Sequence, residues 1–381
     1  MPHASRFAFI DLLRIVAAQA IVLHHLAFYG PLSDHAYPLA ASPIDWLCQY
    51  GRLAVQIFFV TGGYCLAGSL ARRKPQRPLA FAGMVVERYF RIGLPYLAAL
   101  GVALVANEVA RSWMDHPSIS ASPTPGQLVA HVLLLHKVLG YESLTAGIWY
   151  VAIDVQLVAL VSLVYAVACR LSSQRGHAIA RWTLLVMGLV SAFFWNRSPD
   201  FDCFGIYFLA SYMLGMLAAW TRDGSVPKGV FWGYLGAIAF SLHADFRSRL
   251  MLAAVTAALL VLAQGQDWLA RFSSLRPLKR LGLVTYSLFL IHFPICLVIN
   301  AWWSYQLPPN PWLALLGMSI AWGLSMAGAF LFYHVVETRL ARLRLPGTGT
   351  WKPLRDRGMK STGSVSAVLT FTDARKSDGP R

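Results

Sequence analysis

The sequence contains few charged residues. Asp, Glu, Lys and Arg together make up 13% of its 381 residues, about half the roughly 25% that is usual in soluble domains. Acidic residues are the scarcest, 17 against 33 Lys and Arg, so the formal net charge is +16. Hydrophobic residues make up 57% and the mean hydropathy is +0.52. A soluble protein could not cover so much apolar surface, which predicts an integral membrane protein that crosses the bilayer several times.

Motifs of soluble enzymes are missing as well. No GxxxxGK loop, HExxH or GxSxG is present, so the corresponding nucleotide-binding, metalloprotease and hydrolase classes are not indicated. Basic residues are not interleaved with exposed aromatics, so no nucleic-acid partner is expected. Five cysteines are scattered along the chain: Cys48, Cys65, Cys169, Cys203 and Cys296. Without CxxC spacing they predict neither a metal site nor a disulfide framework, although Cys48 and Cys203 could pair on the outer side.

Apolar stretches long enough to cross a bilayer recur from residue 7 to about residue 336. A transmembrane helix needs ~20 mainly apolar residues. The windows that qualify are 7–29, 52–71, 91–111, 146–169, 181–196, 204–221, 229–244, 249–265, 282–303 and 311–335. The windows between 181 and 265 are the weakest, because some are short and polar residues interrupt them. The predicted fold class is all-α, with about ten transmembrane helices.

The positions of Lys and Arg predict the orientation. With both termini in the cytoplasm, most of the 33 basic residues face inward, as the positive-inside rule requires. The first span is expected to be retained, because Asp11 and Arg14 interrupt it in a way that a cleaved signal peptide does not tolerate well. We therefore predict a multi-pass protein of the inner (cytoplasmic) membrane. A membrane domain covers 1–345, and 346–381 is a disordered, basic cytoplasmic tail.

The first predicted span carries four ionisable residues, Asp11, Arg14, His24 and His25. Each costs several kcal/mol in lipid unless it is paired or hydrated, so all four are functional candidates. At 100° per residue Arg14 and His25 share one helix face, ~16 Å apart along the axis. A buried Asp11–Arg14 pair and a hydrogen-bonded core histidine would be a purely structural explanation. The alignment of these residues in one stripe favours a functional role.

Other polar residues lie near the ends of later spans or within them. Arg88 and Arg91 are one turn apart at the cytoplasmic end of the third span, where two guanidiniums could hold phosphates or only set the topology. Trp149 opens the fourth span and Asp154 lies within it, where the carboxylate could orient an imidazolium, bind a sugar hydroxyl or only join helices.

The ninth span supplies Tyr286 and His292, which complete the polar candidates. In this order, the polar segments resemble those of the bacterial acyltransferase-3 family of membrane proteins, which O-acylate glycans and related acceptors. The opening RFAFIDLLRIVAAQAIVLHH is similar to the start of that family. The later segments VQIFFVTGGYCLAGSLARR, ERYFRIGLPY, IWYVAIDVQ and LGLVTYSLFLIHFP are similar to its further motifs. The resemblance covers residues 6–340. The sequence departs from the family at Thr61, Asp154 and Thr338, where Ser, Glu and Pro are usual.

The resemblance implies an acyl-CoA donor from the cytoplasm and a glycan or lipid-linked saccharide acceptor at the outer face. It implies that Arg88 and Arg91, together with Arg14, hold the CoA. His25 would be a general base or a transient acyl carrier, and Asp11 would tune Arg14.

The same resemblance places the acceptor near Trp149, Asp154, Tyr286 and His292. Acetyl is the expected acyl group, with succinyl or a longer group as the alternative. No permanently bound cofactor or metal is expected. The partners are the donor, the acceptor and the lipid bilayer, and a homo-oligomer is compatible with the sequence.

Two other classes of function would also use such residues. A secondary transporter of a glycolipid or acylated intermediate could use the buried Arg, His and Asp as a proton relay. Transporters often have paired halves with interrupted helices, and no such symmetry is visible in the sequence. A membrane scaffold with a basic tail on anionic lipid would explain the charge but not the polar stripe.

Overall fold

The structure is a computed structural model that describes residues 2–71, 79–264 and 275–341. These residues belong to one compact unit, Met1–Leu343. The predicted tail, 346–381, lies outside the described residues, as does part of the predicted inner loops. Within the described ranges the regular structure is helical and no strand is present, which confirms the all-α prediction.

The helices follow one another along the chain. They are α1 (Pro2–Phe28), α2 (Pro31–Tyr50), α3 (Val55–Leu70), α4 (Leu79–Arg88), α5 (Leu94–Arg111), α6 (Pro125–Val132), α7 (Trp149–Leu171), α8 (Gly176–Phe193), α9 (Gly205–Arg222), α10 (Lys228–Ala244), α11 (Ser248–Leu262), α12 (Arg276–Gln306), α13 (Pro311–Phe332) and α14 (Thr338–Leu340). Two π-helical segments, Tyr89–Gly93 and Tyr333–Glu337, join α4 to α5 and α13 to α14.

Seven helical stretches of the described chain are long and apolar enough to cross a membrane. They are 9–28, 31–70, 83–111, 149–171, 176–197, 277–306 and 311–340. The remaining predicted windows fall on α9, α10 and α11, which are 18, 17 and 15 residues long. A multi-pass membrane protein is thus confirmed, while the count of ten crossings and the cytoplasmic termini stay predictions.

Helix α9 lies at the centre of the bundle and is buried along almost its whole length. It crosses α3 where two glycines face the opposite backbone. A Cβ on Gly63 would collide with the carbonyl oxygen of Tyr212, and a Cβ on Gly215 with that of Val60. Small residues let two membrane helices approach to backbone contact. This crossing fixes α3, which carries Thr61 and Gly62 of the site described below.

Helix α2 was not predicted from the sequence. It contains Pro38 and Pro43 and is kinked at Ala40, and prolines of this kind normally mark breaks in a helix. The structure also leaves the cysteines as free thiols, so the pairing of Cys48 with Cys203 that the sequence left open is not formed.

Residues 112–148, which we call the outer segment because the predicted orientation places them outside, connect α5 to α7 and contain α6. Thr124 and Gln127 form a capping box at the start of α6, which satisfies backbone N–H groups at that helix end. Gly147 has a φ of 84°, a backbone conformation that glycine adopts without the usual steric cost. A Cβ built on Gly147 would lie 3.6 Å from the His25 ring. The part of this segment that lies beside His25 is therefore the Gly147 main chain, without a side chain.

Candidate active site

The two ends of the polar stripe are joined by one unbroken helix. Helix α1 runs from Pro2 to Phe28 and carries both Arg14 and His25. Because the helix is continuous, a rise of 1.5 Å per residue separates them by about 16 Å along its axis. Arg14 is half-buried, and Asp11 lies one turn away, where a Cβ on Gly282 of α12 would come within 3.1 Å of the Asp11 Cβ.

Arg14 binds helix α3. Its Nε donates to Thr61 Oγ1 at 3.2 Å, and its Nη2 donates to the Thr61 carbonyl at 3.4 Å and to Cys65 Sγ at 3.5 Å. Thr61, one of the departures from the family pattern, thus keeps the hydroxyl that a serine would supply. The contact of Thr61 with Arg14 was not predicted from the sequence, because Thr61 and Arg14 lie on different helices.

His25 is paired with His292. The two side chains are buried, and His25 Nδ1 lies 2.6 Å from His292 Nε2. The rings are nearly parallel, with an interplanar angle of 8°. On its other side, His292 Nδ1 lies 2.8 Å from the carbonyl oxygen of Leu288. Both ring nitrogens of His292 therefore have partners within the protein, and its predicted contact with an acceptor would require one of these bonds to break.

Aromatic rings surround the His25 imidazole. Tyr29 and Phe293 present their edges, with ring centroids 5.4 and 5.7 Å from that of His25. Gly147 lies over the Cε1 atom, beside Phe289. Among the hydrogen bonds of the described residues, the His25 ring takes part through Nδ1 and not through Nε2. The histidine is therefore held at one nitrogen in an aromatic setting.

His24 has a different environment although it is the next residue. Its Nδ1 lies 2.9 Å from the carbonyl oxygen of Leu47 in α2, and it packs at 5.4 Å from the Phe28 ring. Because a carbonyl only accepts, His24 donates this hydrogen bond. It therefore ties α1 to α2 and is distinct from the His25–His292 pair.

Arg88 and Asp154 form a bidentate ion pair. Arg88 Nε donates to Asp154 Oδ2 at 2.6 Å and Nη2 donates to Oδ1 at 2.8 Å. Asp154 is fully buried, whereas 24% of the Arg88 side chain is exposed. The structure thus brings together two residues that the sequence assigned to opposite ends of the reaction, Arg88 to the donor and Asp154 to the acceptor.

Helices α3, α7 and α9 enclose this ion pair. A Cβ on Gly62 would lie 3.5 Å from Asp154 Oδ1 and 3.3 Å from the Tyr212 ring, so Gly62 leaves room beside the carboxylate. The Tyr150 hydroxyl donates to the carbonyl of Phe58 at 3.5 Å. Trp149 packs against Phe208, with their ring centroids 5.5 Å apart. Its predicted contact with an acceptor stays a prediction.

The end of the site that is predicted to face the cytoplasm involves both π-helical segments. The Tyr286 hydroxyl donates to the carbonyl of Ile92 at 2.5 Å, and Ser287 Oγ donates to Glu337 Oε2 at 2.6 Å. Arg91 lies in the first of these segments and is exposed. π-Helical turns inside longer helices are frequent at functional sites. Ser287 and Glu337 are further candidates, since their contact joins helices that are far apart in the sequence.

The candidate residues form two groups, which we name after the predicted orientation of the chain. The outer pair is His25 with His292, and the inner cluster is Arg14, Arg88 and Asp154. Among the described residues, no group of three or more His, Cys, Asp or Glu side chains could hold a metal ion.

The family model described as acyltransferase domain matches residues 7–334 of this chain. The match includes the outer pair and the inner cluster. No curated protein and no solved structure is similar enough to the chain to count as a match.

Proposed function

The chain belongs to the acyltransferase-3 family and is a membrane acyltransferase, and from this we propose its donor and acceptor. The proposed donor is cytoplasmic acyl-CoA, with acetyl-CoA as the first candidate. The proposed acceptor is a hydroxyl of a glycan or lipid-linked saccharide at the outer face of the inner membrane. The observation that carries the proposal is the single helix that carries the Arg14 guanidinium near its middle and the buried His25 imidazole near its C-terminal end.

Basic side chains support the donor end. Arg91 is exposed and Arg88 is partly exposed, and guanidinium groups bind phosphates through pairs of parallel hydrogen bonds. Arg88 uses Nε and Nη2 for Asp154, which leaves its Nη1 for a phosphate oxygen. Arg14 lies deeper on the same route and would contact the carrier arm or the last phosphate.

The length of α1 supports the passage of the acyl group. An extended pantetheine arm is roughly 15–20 Å long, which matches the distance of about 16 Å between Arg14 and His25 at 1.5 Å per residue. CoA would stay bound at the cytoplasmic end while its thioester meets the histidine. The carrier therefore does not need to cross the bilayer.

His25 would act as the general base. Its imidazole takes the proton of the acceptor hydroxyl while that oxygen attacks the thioester carbonyl. The C–S bond then breaks, and the CoA thiolate recovers the proton from the imidazolium. An acyl-imidazole intermediate uses the same atoms: the imidazole displaces CoA first, and the hydroxyl then displaces the imidazole.

The test is acyl transfer by the purified protein in proteoliposomes, with acetyl-CoA as donor and free glucose as a generic hydroxyl acceptor. We expect His25→Ala to lower kcat by at least about a hundredfold, and Arg14→Ala to lower turnover as well. His24→Ala is the matched control and should keep activity within about threefold of wild type. Unchanged turnover in His25→Ala would remove the proposed chemistry. Movement of a glycolipid without use of acetyl-CoA would favour the transporter instead.

A further inference from the structure

The hydrogen bonds around His292 determine where its proton lies. The carbonyl oxygen of Leu288 can only accept, so His292 Nδ1, 2.8 Å away, carries the hydrogen. In a neutral imidazole the other nitrogen then has the lone pair. His292 Nε2 is therefore an acceptor.

The same reasoning extends to His25. Its Nδ1 lies 2.6 Å from His292 Nε2, which is an acceptor, so His25 Nδ1 must donate. In neutral His25 this places the lone pair on Nε2. Within the described chain no hydrogen bond uses that nitrogen, and Gly147 places main chain without a side chain beside the adjacent Cε1.

We propose that His292 is a positioning residue that fixes His25 in the tautomer whose Nε2 is the reacting atom. Leu288, four residues earlier on α12, orients His292, and His292 orients His25. This inference rests on the proposed function, because it assigns a role for that same reaction. It also replaces direct contact between His292 and the acceptor.

The packing shields this chain of hydrogen bonds from water. His292 is fully buried and His25 is 7% exposed, so water does not compete freely for their nitrogens. A buried hydrogen-bond chain in a low-dielectric interior is stronger than the same chain in water. If His25 takes a proton at Nε2, its Nδ1–H still donates to His292, so the bond persists through the catalytic cycle. A residue that orients a catalytic histidine in this way changes turnover rather than substrate binding.

Two substitutions separate this role from packing. His292→Phe keeps an aromatic ring but removes the acceptor, whereas His292→Gln removes the ring but keeps an oxygen near the position of Nε2. We expect His292→Phe to lower kcat by at least about tenfold with the KM for acetyl-CoA within twofold of wild type. His292→Gln should recover at least half of the lost activity on a logarithmic scale. Equal losses in the two variants, or a full kcat in His292→Phe, would overturn the role.

A second measurement uses the wild-type protein and does not depend on the folding of a variant. Bromoacetyl-CoA carries an electrophilic carbon in place of the acetyl methyl group. Attack by His25 forms an N–C bond and releases bromide, and acid hydrolysis then yields carboxymethylhistidine. We expect the Nε2 isomer at His25. The Nδ1 isomer, or no label on His25, would overturn the inference.

The two proposals fail differently. If wild-type protein does not turn over acetyl-CoA, the proposed function is wrong. If wild type is active and His25→Ala is inactive, while His292→Phe keeps its kcat, the function stands and only the role of His292 is wrong. His24→Phe is the matched control for a histidine-to-phenylalanine change on the outer side, and it should keep kcat within about threefold.

Discussion

The outer pair and the inner cluster solve the burial of polar groups in different ways. In the described residues, the two imidazoles of the outer pair bind each other, and His292 also binds a main-chain carbonyl. None of these hydrogen bonds involves a carboxylate. The inner cluster contains guanidinium groups, one of them in a bidentate pair with a buried carboxylate. A buried cation needs an anion, whereas an imidazole can stay neutral when buried. This difference agrees with the roles proposed above, charge binding at the inner cluster and proton transfer at the outer pair.

The largest expected effect concerns the ion pair of the inner cluster. Asp154→Leu leaves the Arg88 cation without its partner, and breaking a buried pair typically costs about 3–5 kcal/mol. We expect the lower end of that range, because 24% of the Arg88 side chain is exposed. The measurement is unfolding in detergent, monitored by tryptophan fluorescence.

The double variant Arg88→Met/Asp154→Leu provides the control for this prediction. It removes both charges, so much of the lost stability should return. If Asp154→Leu alone is as stable as wild type, the ion pair does not hold the inner cluster together, and the proposed contrast with the outer pair fails.

A smaller effect is expected for donor binding. Arg91→Ala should raise the KM for acetyl-CoA by about tenfold, equivalent to about 1.4 kcal/mol, with little change in kcat. Arg88 is the other arginine of the predicted CoA site, but it also binds Asp154, so Arg91 gives the cleaner result. Arg52→Ala is the matched control, because Arg52 is exposed and lies in the short turn Gly51–Ala54 between α2 and α3. It should leave the KM unchanged. An unchanged KM in Arg91→Ala would limit this arginine to setting the topology.

The smallest effect concerns a second pair of imidazoles, in the outer segment. The rings of His131 and His136 stack with centroids 4.1 Å apart. Burial lowers the pKa of His131 and lowers that of His136 to about 3. The unfolded state therefore binds more protons below its own pKa of about 6.5. The stabilisation that comes from these two neutral histidines is therefore present above pH 6.5 and is lost as the pH falls towards 3.

Between pH 7 and pH 6 the loss attributable to His136 should stay below about 1 kcal/mol. Thermal unfolding of wild type and His136→Phe across this range would measure it. The variant should show the shallower dependence on pH. Parallel curves for the two proteins would show that the free energy of unfolding does not depend on the protonation of His136.

The sequence predicted the elements better than their contacts. The predicted windows fall on helices, and Arg14 and His25 lie on one unbroken helix. Their common face could be predicted because it depends only on the helical period of 3.6 residues within one segment. The partner of His25 lies 267 residues away and that of Arg88 lies 66 residues away. Such contacts follow from helix packing, which periodicity does not encode. Helix α2 was missed because its two prolines predict a loop.

The unbroken course of α1 has a consequence for selectivity. Because the helix has no kink between Arg14 and His25, the distance between these two residues is fixed. With the donor proposed above, this distance selects for the length of the pantetheine arm and not for the acyl group, since the arm spans the same distance whatever acyl group it bears. Discrimination between short and long acyl groups must then arise beyond the imidazole, where Tyr29, Phe293 and Gly147 form the walls.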